Sequence, residues 1–476
     1  MALRLDDRDV TYAEVDRAAS GFASLLRDDG VEAGDRVLLV MPDGLQYVAA
    51  LFGVLRLGAV GLLLNPGLIF RDLGAIAGLA KATGAVVHES HREHLEAAVE
   101  SAGIPMPALV VVDSDLHLPD VDIPTFDTAA LDPALWIFSG GTTGIPKAVV
   151  QTHRSFANTT ELYGKGILGL TADDVTIAVP KLYFGYAMGS NLFFPFSAGA
   201  SAVLFEDQST PDALFERIER HRATVLVHVP SAINQMLAHP DFANGDMSSL
   251  RVATSAGEAL PDTLYRQWTE RFGVELLDGL GTAEMWHIFV SNRVGEVRPG
   301  TLGRVVPGFE IKVCDDDGND VPTGDMGRLW VKGDSLGLGY FENPEATAEA
   351  FRGDWFAGGD VVSIDGDGYV THRGRSDDSI KVKGRWFRPQ EVESVLLDHP
   401  AVNECAVVAI SDESGLARPV AFVVAANVTE TDLTDWALAH LEPYKHPRRI
   451  HFVDRLPQTH LGKVDRGALK SLAAGG

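Results

Sequence analysis

The chain has 476 residues, 46% of them hydrophobic and 22% charged, the balance of a globular protein long enough for at least two domains and a large core. A formal net charge of −26 argues against a nucleic-acid-binding surface and means that an anionic substrate needs local positive charge to hold it. Two isolated cysteines, Cys314 and Cys405, make neither a disulfide framework nor a zinc site, so a reducing cytoplasm is the expected location.

The N-terminal residues carry no apolar signal core. Asp9-Val10 reads as a short strand, and Thr11 with Glu14 three residues on reads as the start of a helix. Val37–Val40 is predicted as a strand and 45–57 as a helix. Residues 47–70 resemble a membrane span in hydropathy alone; Arg56, several glycines, Asn65 and Pro66 make them a buried helix and strand instead. Strands are predicted at 84–87, 108–112, 224–228 and 274–277, and helices at 211–221 and 262–272. Alternating strand and helix with continuous β-branched runs predicts parallel sheets covered by helices on both faces.

After about residue 300 short strands and turns dominate, at 309–313 and 327–331, and predict a β-rich subdomain over about 300–376. The pattern resets near Gly374-Arg375-Ser376-Asp377. A compact α/β unit follows, with helices at 389–397 and 432–441 and strands at 379–383, 404–410, 419–425 and 450–453. Pro389 in a first turn with Glu391 nearby supports the first of these helices. The domain boundary is placed at Asp377, giving a large unit over 1–376 and a small one over 377–476. The fold class is therefore α/β: a large N-terminal domain of helix-covered sheets with a β-rich subdomain, and a small C-terminal α/β domain.

Residues 138–147, Phe-Ser-Gly-Gly-Thr-Thr-Gly-Ile-Pro-Lys, lie between the apolar runs 135–138 and 148–150, each read as a strand. Gly140, Gly141 and Gly144 let a loop wrap its N–H groups around one anion. Ser139, Thr142 and Thr143 add hydroxyl donors and Lys147 a positive charge, so the loop suits a polyphosphate. It is not a Walker-type loop, because proline precedes the lysine and a strand, not a helix, follows it.

This loop resembles the phosphate loop of the adenylate-forming superfamily, which includes acyl-CoA synthetases, peptide-synthetase adenylation domains and luciferases. The resemblance extends over nearly the whole chain. Ser255-Ala256-Gly257-Glu258-Ala259 is similar to the adenine-side loop, and Asp278-Gly279-Leu280-Gly281-Thr282-Ala283-Glu284 to the motif after it. Gly359-Asp360 with Gly374-Arg375 resembles the ribose-binding and hinge region. Lys381-Val382-Lys383-Gly384 and Glu391-Val392-Glu393 match the start of the mobile domain, and Leu461-Gly462-Lys463-Val464-Asp465-Arg466 the terminal lysine motif.

The resemblance implies ATP, Mg²⁺ and CoA as the cofactors. It implies Lys463 as the catalytic cation at the acid's carboxylate and the α-phosphate, and Glu284 as the Mg²⁺ carboxylate. Gly257, Glu258, Ala259, Asp278, Gly279 and Thr282 join the phosphate loop around ATP, Asp360 and Arg375 take the ribose side, and Asp377 is the hinge. Chemistry of this kind is mostly alignment and offsetting of crowded negative charge. The chain departs from the family at Ala283, Leu280, Gly358 and Phe184, where threonine, an aromatic, threonine and histidine are common.

The segments 181–195 and 284–292 are similar to those of benzoate-CoA ligases. By that resemblance Gly185, Tyr186, Gly281, Trp286, His287 and Ile288 surround an aryl acid, and aromatic walls suit a flat ring. A plain ring, a substituted one and a cinnamate-like acid stay open, with Tyr186 and His287 as groups for a ring hydroxyl or amino substituent. Lys383, Gly384, Arg385 and Trp386 are assigned to the pantetheine and nucleotide of CoA. A carrier-protein phosphopantetheine, a non-thiol acceptor, and a regulatory nucleotide-binding protein without catalysis are the rival readings. No nucleic-acid or membrane partner is expected, and a homodimer is an open state.

Overall fold

The structure, a computed structural model, describes residues 1–139, 147–239, 245–315, 317–376, 380–382, 385–387, 389–411, 417–457 and 464–475. Among these residues two large sheets carry the N-terminal part. The first runs Ala108–Val112, Gly84–His88, Arg36–Val40, Val60–Leu63, Pro133–Ser139 and Lys147–Thr152 from edge to edge, all pairs parallel except the last. The second runs Arg304–Val305, Ile288–Ser291, Leu276–Gly281, Val252–Ser255, Val225–His228, Val175–Ala178, Ser201–Val203, Leu3–Arg4 and Asp9–Val10, with its central pairs parallel. The apolar run Val37–Val40 is buried throughout, as a central parallel strand with both faces covered must be.

The helices form where local chemistry starts and stops them. Thr11 and Glu14 make a reciprocal capping box for the helix Tyr12–Asp28. This helix packs on Leu45–Arg56, where Gly53 is required: a Cβ there would lie 2.9 Å from the Ala19 carbonyl. Thr210 caps the helix Pro211–His221, with proline in its first turn. The stretch expected to be a buried helix and strand is the helix Leu45–Arg56 followed by the strand Val60–Leu63. Among the described residues no helix is long and apolar enough to cross a membrane.

Two features go beyond the sequence reading. The strand predicted at 274–277 spans Leu276–Gly281, continuing through Gly279 and Gly281. The segment after Lys181 is a stack of short helices, Gly185–Met188 and Phe194–Ala198, separated by the π-helix Gly189–Phe193.

A third sheet forms the β-rich part, with Glu310–Cys314, Met326–Lys332, Trp355–Ile364, Phe351–Arg352 and Val370–Arg375. The small C-terminal unit has the sheet Val402–Ser411, Ala417–Ala425, Arg449–Phe452 and the helices Pro389–Leu397, Glu430–His440 and Arg466–Gly475, with its own apolar core around Val392, Leu396, Val407 and Leu433. A hairpin of Ile380–Val382 and Arg385–Phe387 precedes it. Asp377 lies outside the described residues.

Candidate active site

The strands Pro133–Ser139 and Lys147–Thr152 are antiparallel neighbours, with Ser139 opposite Lys147. The glycine-rich loop closes this hairpin; its Gly140, Gly141, Thr142, Thr143 and Gly144 lie outside the described residues. The other edge of Lys147–Thr152 meets the segment 338–341. Val149 bridges Tyr340, Val150 N–H donates to Gly339 O at 3.1 Å, and Leu338 N–H donates to Val150 O at 2.9 Å. The Lys147 ammonium is thereby set 4.9 Å from the centre of the Tyr340 ring.

Tyr340 in turn donates its hydroxyl to Glu284 Oε1 at 2.7 Å. Burial and the Glu284 charge hold the Tyr340 pKa far above that of a free phenol, so the hydroxyl remains a donor. The Glu284 backbone is fixed as well. Its carbonyl accepts from Gly337 N–H at 2.9 Å and from Gln151 Nε2 at 3.3 Å, and Gln151 also reaches Ala283 O at 2.6 Å. A buried carboxylate on a backbone held in place, with one oxygen taken by a phenol, fits a hard cation on its other oxygen. Among the described residues no group of three or more His, Cys, Asp or Glu could hold a metal.

In the loop expected to face adenine, Gly257 has φ +89°, a conformation that favours glycine. Glu258, assigned by the sequence to ATP, accepts from Ser231 N–H at 2.9 Å and Oγ at 3.1 Å and so caps the helix Pro230–Ala238. Ala259 is exposed beside it. Asp278 is buried on the strand Leu276–Gly281. Burial pushes its carboxyl up to about 8, against the Ser255 hydroxyl and the Gly279 N–H, so near pH 7 it offers an O–H donor as well as an acceptor. Thr282 Oγ1 accepts from Met285 N–H at 3.3 Å.

Asp360 and Arg375, expected to take the ribose, stand opposite each other on paired strands. Asp360 accepts from His372 Nε2 at 3.1 Å and lies 3.7 Å from Arg375 Nη1. The Arg375 charge also opposes the rise in the Tyr340 pKa, so this pair and the Glu284 cluster are electrostatic neighbours.

The aromatic side begins two residues after Glu284. Trp286 is buried with φ +67°, a left-handed conformation that is strained for a bulky side chain. Its indole packs near Phe156 and Phe193, with ring centres 5.9 and 6.0 Å away. A Cβ on Gly185 would lie 3.1 Å from the Trp286 carbonyl, and one on Gly281 would lie 2.5 Å from the His287 carbonyl, so Gly281 is required for close approach of two strands. Tyr186 shares a 2.6 Å hydrogen bond with Thr254 Oγ1.

His287 Nε2 lies 3.0 Å from both the Tyr186 carbonyl and Ser190 Oγ. A carbonyl only accepts, so Nε2 carries the proton and Nδ1 is a bare acceptor. Burial lowers the His287 pKa to about 3, which keeps the ring neutral. Among the described residues, neither His287 Nδ1 nor Trp286 Nε1 has a hydrogen-bond partner, and both are buried. Phe194, Tyr163 and Tyr186 surround the imidazole at 4.7, 5.3 and 5.5 Å, and Ile288 follows it in the core.

In the small unit, Lys463, Lys383 and Gly384 lie outside the described residues. The backbones of Arg385 and Trp386 belong to the strand Arg385–Phe387. Arg466 donates to Glu393 Oε1 at 2.7 Å and to the Val407 carbonyl at 2.6 Å, and Val407 N–H donates to the same Glu393 oxygen at 2.7 Å. That knot fixes the start of the last helix, three residues beyond the predicted lysine. The structure thus gathers Lys147, Glu284 and Arg375 near Tyr340, and Gly185, Tyr186, Gly281, Trp286 and His287 around one another. Sequence reasoning missed Gln151, Tyr340, Thr254 and Ser190, which carry no local signal: Tyr340 reaches Glu284 across 56 residues of chain.

These residues set a buried carboxylate beside a largely aromatic cluster. The AMP-binding enzyme family matches residues 1–341 and its C-terminal domain residues 391–463, so the chain belongs to the AMP-binding enzyme family, the adenylate-forming ligases. Within that family it stands close to the aryl-CoA ligases, as an acid–thiol ligase by class. It is 39% identical to the benzoate–CoA ligase of Thauera aromatica over 97% of this chain and 90% of that one. The fold matches the crystal structure of an anthranilate CoA ligase in complex with anthranoyl-AMP at TM-score 0.94 and 36% identity, over 100% of this chain and 95% of the other. It matches a benzoate CoA ligase from Burkholderia xenovorans LB400 at TM-score 0.90 and 37% identity, over 98% and 96%.

Proposed function

We propose that the protein joins an aryl acid of the benzoate class to AMP and then passes the acyl group to the thiol of CoA. In the first step a carboxylate oxygen attacks the α-phosphorus of ATP and the bond to pyrophosphate breaks. In the second the CoA sulfur, after losing its proton, attacks the acyl carbon and AMP leaves. The observation that carries this reading is continuity: two residues separate the buried carboxylate Glu284 from the aromatic group at His287, so one turn of chain serves phosphate and ring together.

In this reading Ser139, Lys147 and the glycine-rich loop hold the phosphates, and Asp360 and Arg375 the ribose. Mg²⁺ on Glu284 supplies charge neutralisation for the phosphate oxygens. Lys463 enters from the small unit, which turns about Asp377 between the two steps, and neutralises the oxygens that crowd together as AMP is joined. Gly185, Tyr186, Gly281, Trp286, His287 and Ile288 flank the ring. The bare Nδ1 of His287 suits a ring that bears an O–H or N–H donor. Lys383, Gly384, Arg385 and Trp386 meet CoA.

ATP–pyrophosphate exchange across aryl, cinnamyl and aliphatic acids tests the first step. Exchange with hydroxy- or aminobenzoates and with few aliphatic acids is expected, and silence with every aryl acid would sink the reading. Thioester assays with CoA and with phosphopantetheinyl carriers then separate the two acceptors, CoA being the one expected.

A further inference from the structure

Asp43 follows the strand Arg36–Val40 of the six-stranded sheet, and its carboxylate reaches the other large sheet. The Leu182 N–H donates to both of its oxygens, at 3.0 Å to Oδ1 and 3.2 Å to Oδ2. Asp43 is 5% exposed and Leu182 fully buried. Leu182 belongs to the segment that leaves the strand Val175–Ala178 and enters the helix Gly185–Met188. That segment is short and internally tied: Phe184 N–H donates to Lys181 O at 2.9 Å, and Met188 N–H to Phe184 O at 2.8 Å. Its far end is held by the bond between Tyr186 and Thr254. A carboxylate on one sheet therefore grips the beginning of a turn on the other, three residues before Gly185.

The surroundings favour a charged grip. Lys181, adjacent to the gripped N–H, donates to the Phe205 carbonyl at 2.8 Å and lies 3.6 Å from the centre of the Phe205 ring. Burial lowers the Lys181 pKa to about 8 against the pull of Asp43. Burial raises the Asp43 pKa to about 6, against the Lys181 charge and the Leu182 N–H. Tyr47 on the helix Leu45–Arg56 and Tyr183 beside Leu182 also face the carboxylate. Beyond Lys181, Arg217 lies over the Phe205 ring at 4.3 Å, paired with Asp6 and Asp207. An ionised acceptor holds an N–H more strongly than a neutral one.

We propose that Asp43 is a positioning residue for the aryl acid: through the Leu182 N–H it sets where Gly185 and Tyr186 stand against the acid's ring. This rests on the proposed function, in which those two residues flank the ring. Asp43 touches neither nucleotide nor acid, so its effect falls on the acid's KM.

The test is steady-state kinetics from pH 5.5 to 8 on the full chain, with KM for acid and ATP measured separately for wild type, Asp43→Asn, Asp43→Ala and Lys181→Met. Loss of the grip in Asp43→Ala is expected to raise KM for the acid about tenfold while kcat and KM for ATP stay within about twofold. In the wild type KM for the acid rises as pH falls through about 6, because protonation removes the charged acceptor. Asp43→Asn, already neutral, shows no such rise, and Lys181→Met shifts the rise to higher pH. A wild-type pH profile in Asp43→Asn would overturn the proposal, and so would an equal change, or none, in all three constants of Asp43→Ala. If the alanine variant does not fold, the asparagine and methionine profiles decide. No exchange with any aryl acid overturns the functional reading and this inference together; normal exchange with unchanged acid KM in every variant overturns this inference alone.

Discussion

The Glu284 side of the candidate site, proposed to meet the phosphates, and the aromatic side are built on different terms. Around Glu284 the polar groups are mutually held: a phenol on the carboxylate, an amide and a backbone N–H on the carbonyl, and an ammonium over the phenol ring. Around His287 the contacts are mostly apolar, the backbone of Trp286 is strained, and two buried nitrogens have no partner among the described residues. A site that meets the same ATP at every turnover can satisfy its own polar groups in advance. A site that must choose among acids keeps hydrogen-bonding capacity for the acid itself, because a buried group left unpaired penalises the wrong substrate.

The largest effect that separates the two sides lies outside both. Lys463→Ala is expected to lower adenylate formation by about a hundredfold or more while thioester formation from supplied acyl-adenylate stays close to wild type. Separate assays of the two half-reactions check this, and equal loss in both refutes the role. Next in size is Tyr340→Phe, which removes the hydroxyl from Glu284. Loss of about 2 kcal/mol in kcat/KM is expected for a hydrogen bond to a charged group, with a raised Mg²⁺ requirement and no change in the ranking of acids. An altered ranking would mean that the two sides are not separate.

The smallest effect sharpens the aromatic side. His287→Gln keeps a donor near the Tyr186 carbonyl but removes the Nδ1 acceptor. The preference for hydroxy- or aminobenzoates over benzoate should fall about tenfold or less, read from ratios of kcat/KM. In the wild type that preference should be flat from pH 8 to 5. A histidine lowered to about 3 is neutral across that range, so titration of this ring adds no limb. The same lowering means that the unfolded chain binds this proton more readily, so its contribution to stability is present above about pH 6.5 and is lost as pH falls toward 3.

Much of the fold was legible because its signals are local. Thr11 before Tyr12–Asp28, and Pro389 with Glu391 in Pro389–Leu397, mark their helices within a few residues. The strand Leu276–Gly281 extends four residues beyond the predicted 274–277, through two glycines that carry no strand signal. The chain stays extended there, since Gly279 and Gly281 admit the neighbouring strand at distances no side chain allows. The π-helix Gly189–Phe193 has no periodic signature in the sequence. Residue types at the site were readable from motifs, but their partners were not. Gln151, Tyr340 and Asp43 are ordinary core or loop residues until the fold brings them to Glu284 and Leu182.

The bridge between Val149 and Tyr340 fixes more than an edge of a sheet. Side chains on an extended strand alternate faces, so sliding 338–341 by a single position would send the phenol to the opposite side. Ammonium and carboxylate would lose their common neighbour in the same event. One-residue insertions or deletions between Ser335 and Tyr340 should therefore be far more damaging than substitutions there, since the placing of Tyr340 between Lys147 and Glu284 has been entrusted to pairing register.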